Sequence, residues 1–242
     1  MPATEVVLLV LAGALSAGFV SGLAGFAFAM VSLGFWVHVL APTVAAPLIV
    51  ACAAFAQIYS MRQLRRGIRL DLAMPFIVGG LIGIPLGAWL LIWIDRDTFR
   101  FSVGIFLVVY TAIMLALGAT PPLRWGGKVA DAVVGWTGGV MGGIAGLTGA
   151  TPAIWCVLRG WSRDDQRGAM QPFNLTLQIA AVIAYGYQGL LTREVGLLFA
   201  IALPAMIVGV AAGVALYRRI DDVWFRRIVL WLLLVSGITL VI

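Results

Sequence analysis

The tetrapeptide Gly22-Leu23-Ala24-Gly25 returns as Gly146-Leu147-Thr148-Gly149, 124 residues further along the chain. Gly83 and Gly87 return as Gly209 and Gly213, Ile94-Asp95 as Ile220-Asp221, and Phe99-Arg100 as Phe225-Arg226, the last at a spacing of 126. Chance glycine matches do not hold a nearly constant offset over half a chain, so the pattern marks an internal duplication. Two similar units must then share one fold. In an apolar chain that points first to a transporter, with its site where the halves meet.

The chain is apolar enough for the halves to lie in lipid. Of its 242 residues 62% are hydrophobic and 11% charged, against about 25% charged in soluble proteins. Its 16 basic and 10 acidic residues fall in or near the ends of short stretches between apolar runs. Most of those runs approach the roughly 20 residues that cross a bilayer as a helix. The formal charge of +6 therefore reads as cytoplasmic loops and contact with anionic lipid, not nucleic acid. Cys52 and Cys156 sit inside apolar runs and read as packing residues. The start, Met1 to Glu5, lacks the basic segment of a cleaved signal peptide, so the first run is expected to be mature structure.

The expected fold is an all-α polytopic membrane protein with two inverted repeats, 1–120 and 121–242. Each is a short broken-helix hairpin plus three full transmembrane helices. The expected segments are 5–25, 26–40, 43–61, 72–94 and 99–118, then 130–147, 150–159, 169–190, 194–217 and 225–242. A helix over 150–159 reaches only about 15 Å, half a hydrocarbon core. That segment and its partner 26–40 are read as half-helices or re-entrant pieces. Non-helical backbone at membrane depth is tolerated only where protein buries it or it lines a cavity.

Arginine placement orients the chain. Loop 62–69 carries Arg62, Arg65, Arg66 and Arg69, which assigns it to the cytoplasm. Counting spans then brings loops 124–128, 159–167 and 218–227 to the same side and both termini outside. Equivalent loops of the two copies differ in charge: arginine-rich 62–69 answers to the nearly bare Arg193-Glu194. Opposite entry of the two copies requires that difference.

Candidate site residues cluster at the glycine-rich breaks. A half-helix starting after Gly149 offers free backbone N–H groups and the positive end of its dipole to an anion. Thr148 and Thr151 can add hydroxyl donors, and Gly25 marks the break in the first copy. Gln171, Asn174 and Gln178 stand at i, i+3 and i+7, on one helix face. Gln57, with Ser60, is their counterpart in the first half. Amides in hydrocarbon need partners, so that face is either a substrate contact or interhelical glue. Gly18, Gly142, Gly83, Gly87, Gly209 and Gly213 read as close-packing positions. His38, the only histidine, reads as interfacial, and Trp36, Trp89, Trp93, Trp155, Trp161, Trp224 and Trp231 as aromatic-belt anchors. No acidic or basic residue lies near the centre of an expected span, so no carboxylate relay is foreseen.

The stretch Gly146-Leu147-Thr148-Gly149-Ala150-Thr151-Pro152, followed by a short helix, a basic loop and Arg167, resembles the GLTG…P signature of the TauE/SafE sulfite exporter family. The resemblance extends over the whole chain and its two-fold repeat. It implies a permease of a bacterial-type inner membrane that exports sulfite, a sulfonate or a related organic anion. Where that family often has a glycine run and a proline after its first motif, this chain has Phe26-Ala27-Phe28-Ala29-Met30. That departure bears on the size and polarity of half the pocket. The expected partners are a small anion and membrane lipid, with self-association open; no cofactor, metal or catalytic set is foreseen. The competing readings are a non-transporting subunit of a larger complex and a membrane-embedded enzyme.

Overall fold

The computed structural model of the chain describes residues 4–25, 27–63, 67–116, 123 and 125–217. The expected last span, 225–242, and the basic loop before it lie outside them. Within them run nine helices: α1 (Thr4–Ala24), α2 (Phe28–Trp36), α3 (Pro42–Gln63), α4 (Leu70–Leu91), α5 (Arg96–Ala116), α6 (Gly127–Ala145), α7 (Ala150–Leu158), α8 (Arg163–Tyr187) and α9 (Arg193–Tyr217). Five of them, α1, α3, α4, α5 and α9, are long and apolar enough to cross a membrane. The protein is a multi-pass membrane protein. Both short segments are nine-residue helices, about 14 Å long at 1.5 Å per residue.

The packing repeats as the sequence does. If α1 answers to α6, α2 to α7, α3 to α8 and α4 to α9, the two most extensive interfaces, α4 on α6 and α1 on α9, are images of each other. The α4–α8 and α3–α9 contacts form a second such pair, and the α3–α8 contact is its own image. Glycines set the closeness of the first pair. A Cβ on Gly83 or Gly87 would run into the backbone carbonyls of Trp136 or Val140, and one on Gly209 or Gly213 into those of Leu15 or Phe19. These are the backbone approaches that small residues permit between membrane helices.

That register corrects the alignment of the two motifs. Helix α1 ends at Gly25 with φ +82° and α6 ends at Gly146 with φ +74°, a left-handed conformation that costs a Cβ-bearing residue energy. At Gly146 the termination is an αL motif: its N–H donates to Gly142 O at 2.8 Å, and the Leu147 N–H donates to Met141 O at 3.3 Å. Gly25 is thus the structural equivalent of Gly146, and Gly22-Leu23-Ala24-Gly25 overlays Gly143-Ile144-Ala145-Gly146, 121 residues on. The 124-residue match to Gly149 is one helical turn out of register, because α6 carries its glycines in consecutive turns and several offsets match equally well.

Proline and polar caps set other local details. Pro172 in α8 has no N–H for the Gly168 carbonyl four residues earlier, and that carbonyl instead accepts from the Arg69 N–H at 3.1 Å. Ser162 caps α8: its Oγ accepts from the Asp165 N–H at 3.1 Å, and the acidic first turn, Asp164 and Asp165, suits the positive helix end.

Candidate functional site

The second break, Gly146 to Gly149, separates α6 from α7. Gly149 is the N-cap of α7 with φ −85°, and no side chain caps that helix; α2 likewise starts from Ala27 without a side-chain cap. Each half-helix therefore opens with backbone donors that lack intrahelical acceptors. Thr148 is buried beside this end, and its Oγ1 donates to Asn174 Oδ1 of α8 at 2.8 Å. That bond joins the break to the amide face expected from the i, i+3, i+7 spacing.

Along α8 all three amides are buried: Gln171 and Gln178 are 3% exposed and Asn174 is 0% exposed. Gln57, on the facing α3, is 2% exposed. Their hydrogen-bonding capacity is not met. Gln57 Nε2, Gln171 Nε2, Asn174 Nδ2 and Gln178 Oε1 have no partner. A buried polar group left unpaired costs about 1–3 kcal/mol, and native interiors keep few of them. Four on one helix pair form a set of orphaned amides beside an uncapped helix start. Gln57 and Gln178 are 121 residues apart, the same spacing that separates Gly25 from Gly146.

Thr151 and Gly25 are placed differently. Thr151 is half-buried in α7, where its Oγ1 accepts a 3.0 Å hydrogen bond from the Thr137 hydroxyl of α6. Gly25 lies against Arg167, where a Cβ would stand 3.7 Å from the side chain's Cγ, Nε and Cζ. The structure thus brings together Thr148 and Asn174, buries the other amides on α8 and α3, and joins Thr151 to Thr137 within the α6–α7 hairpin.

Arg167, part of the family-like stretch in the sequence, was not among the expected site residues. Counted with a cytoplasmic loop, it stands instead one turn inside α8, half-buried. Its guanidinium donates to Leu23 O at 3.1 Å, Gly22 O at 3.4 Å and Ser60 Oγ at 3.4 Å. It therefore faces the C-terminal carbonyls of α1, where the helix dipole is negative. An arginine thus stands at the first break, beside the N–H groups that the helix ends offer. The available signal was spacing, since 167, 171, 174 and 178 continue one helix face.

The other end of the α6–α7 hairpin is tied by a second polar group. Trp155 Nε1 donates to Asp131 Oδ1 at 2.7 Å, and Arg159 Nη1 lies 3.5 Å from the same oxygen. Trp155 is therefore a partner of a buried carboxylate rather than a belt anchor. Trp36 departs in the same way: it is fully buried, with its ring edge-on to Phe28 at 6.2 Å and its Nε1 against Gly13. Both sit on half-helices enclosed by longer ones, whereas Trp89 and Trp93 at the end of α4 are exposed. Cys52 and Cys156 are free and buried. His38 lies between α2 and α3, where burial and the Arg100 guanidinium hold its pKa below the ordinary value.

No curated protein and no solved structure matches the chain. The model of the family described as "Sulfite exporter TauE/SafE" matches residues 9–240. With nearly its whole length covered, the chain belongs to the TauE/SafE sulfite exporter family of membrane transporters.

Proposed function

We propose that this protein is a permease that moves a small oxyanion, of the sulfite or sulfonate class, outward across a bacterial inner membrane. The anion is held between α8, α3 and the start of α7. Asn174, Gln171 and Gln57 donate from their amides, Thr148 sets the orientation of Asn174, and the first N–H groups of α7 add the positive end of a helix. The orphaned buried amides carry this reading: they supply more donors than the protein's own acceptors use, and an oxyanion is rich in acceptors. Gln178 joins them if its amide is turned end for end, which exchanges its unpaired oxygen for a donor.

The two copies enter the membrane from opposite sides in this reading, with 62–69, 124–128 and 159–167 cytoplasmic. Support comes from the arginine distribution and from the duplicated packing of α1–α9 and α4–α6. Purified protein in sealed liposomes tests the transport claim. Sulfite flux that Asn174→Leu abolishes supports it, and liposomes inert to sulfite and sulfonates support a non-transporting subunit instead.

A further inference from the structure

We propose that Tyr185 is a positioning residue of the anion site: its hydroxyl holds the carbonyl end of α6, and with it the second break, against the amide face of α8. The inference rests on the transport reading above and adds to it the contact that presets the donors. Tyr185 is fully buried, and its hydroxyl donates to Gly143 O at 2.7 Å. It stands seven residues beyond Gln178, so Gln171, Asn174, Gln178 and Tyr185 share one helix face. In a continuing helix Gly143 O would accept from the Leu147 N–H. That N–H turns back to Met141 O instead, which leaves Gly143 O among the carbonyls that a helix end must satisfy elsewhere.

Helix α8 therefore grips the second break on both sides. Tyr185 holds the last turn of α6, and Asn174 Oδ1 accepts from Thr148 Oγ1, just before the start of α7, at 2.8 Å. The two holds lie about 16 Å apart along α8. The first half fills the corresponding positions differently. At the spacing of 121 residues Gly143 answers to Gly22, whose carbonyl accepts from Arg167 at 3.4 Å. Thr148 and Asn174 answer to Ala27 and Ala53, which carry no polar side chain. A break can thus form without the threonine–asparagine bond, and the doubly held break is the one beside the orphaned amides. Donors that need no reordering when the anion arrives are where a preorganised site gains affinity.

Flux in liposomes, followed as a function of sulfite concentration, tests the proposal. Tyr185→Phe keeps the ring and removes the hydroxyl. Its half-saturating sulfite concentration should rise about two- to tenfold, the loss of one hydrogen bond that orders the site, while maximal flux per folded protein stays near wild type. Thr111→Val removes a buried hydroxyl bonded within α5 and should shift neither value. A folded Tyr185→Phe with unchanged half-saturation overturns the proposal, whether or not its maximal flux or unfolding temperature falls. If Tyr185→Phe does not accumulate, hydrogen exchange in wild-type protein decides. Slow exchange of the Gly146 and Leu147 amides without sulfite supports a preset break, and slow exchange only with sulfite overturns it. Inert wild-type liposomes overturn the transport reading itself. Unchanged half-saturation in Tyr185→Phe beside lost flux in Asn174→Leu overturns this inference alone.

Discussion

Asn174→Leu separates a binding amide from a structural one, because the two roles predict opposite effects on stability. Asn174 is fully buried, and its Oδ1 accepts from Thr148 Oγ1 at 2.8 Å. Leucine removes that bond, worth about 0.5–1.5 kcal/mol net. It also removes Nδ2, which has no partner, an unpaired buried group that costs about 1–3 kcal/mol. The two terms nearly cancel or favour leucine, at roughly constant volume. Thermal unfolding in detergent should therefore stay within a few degrees of wild type or rise. Transport should not survive: a hydrogen bond to a charged group is worth about 1.5–3 kcal/mol, a factor of ten to a hundred or more. If Asn174 were interhelical glue, the variant would unfold markedly earlier and the folded fraction would transport normally. That pattern would refute the reasoning.

Cysteine placed at Arg66 should resist a membrane-impermeant label applied from outside, and cysteine at Glu194 should react; equal labelling would remove the opposed insertion of the copies. Gly146→Ala forces a Cβ onto φ +74° and to 2.8 Å from Ile49 Cγ2, and should cost more than the roughly 1–2 kcal/mol of left-handed strain alone. Gly149→Ala, at φ −85°, carries no such strain, and equal unfolding temperatures for the pair would contradict the assigned helix ends. Asp131→Ala should cost about 1–3 kcal/mol by leaving Trp155 Nε1 without its acceptor, while Asp131→Asn keeps one and should cost less, as thermal unfolding can show. With its pKa lowered, folded His38 takes up its proton at a lower pH than the unfolded chain. Its contribution to stability is then complete above about pH 6.5 and falls as pH drops below that value. His38→Gln should flatten that part of the acid slope and leave flux unchanged, and an unaltered slope would contradict the assignment.

Much of the fold was legible because bilayer physics restricts a chain to few solutions. Apolar length gave the long helices, and a nine-residue apolar stretch between glycine clusters gave α7. The amide face of α8 followed from spacing alone, since costly groups in lipid must turn inward. Other features depended on contacts between distant residues. The equivalence of Gly25 with Gly146 emerges from a backbone conformation that four-letter motifs do not encode. Arg167 reads as a loop charge because the helix start lies only four residues before it, whereas its guanidinium reaches α1 carbonyls more than 140 positions away in the chain. Trp155 looked interfacial because its partner, Asp131, is held on another helix.

An oxyanion that crosses through amide, hydroxyl and backbone donors without a proton relay, as proposed, moves with charge and gradient alone. Wild-type protein in liposomes with a potassium-clamped potential tests that movement most directly. The potential is worth about 2.3 kcal/mol per charge per 100 mV, so an inside-negative potential should drive sulfite outward and reversing it should drive sulfite inward. Collapse of a proton gradient at fixed potential should change neither rate. Flux that ignored the potential and stopped when the proton gradient collapsed would contradict the account.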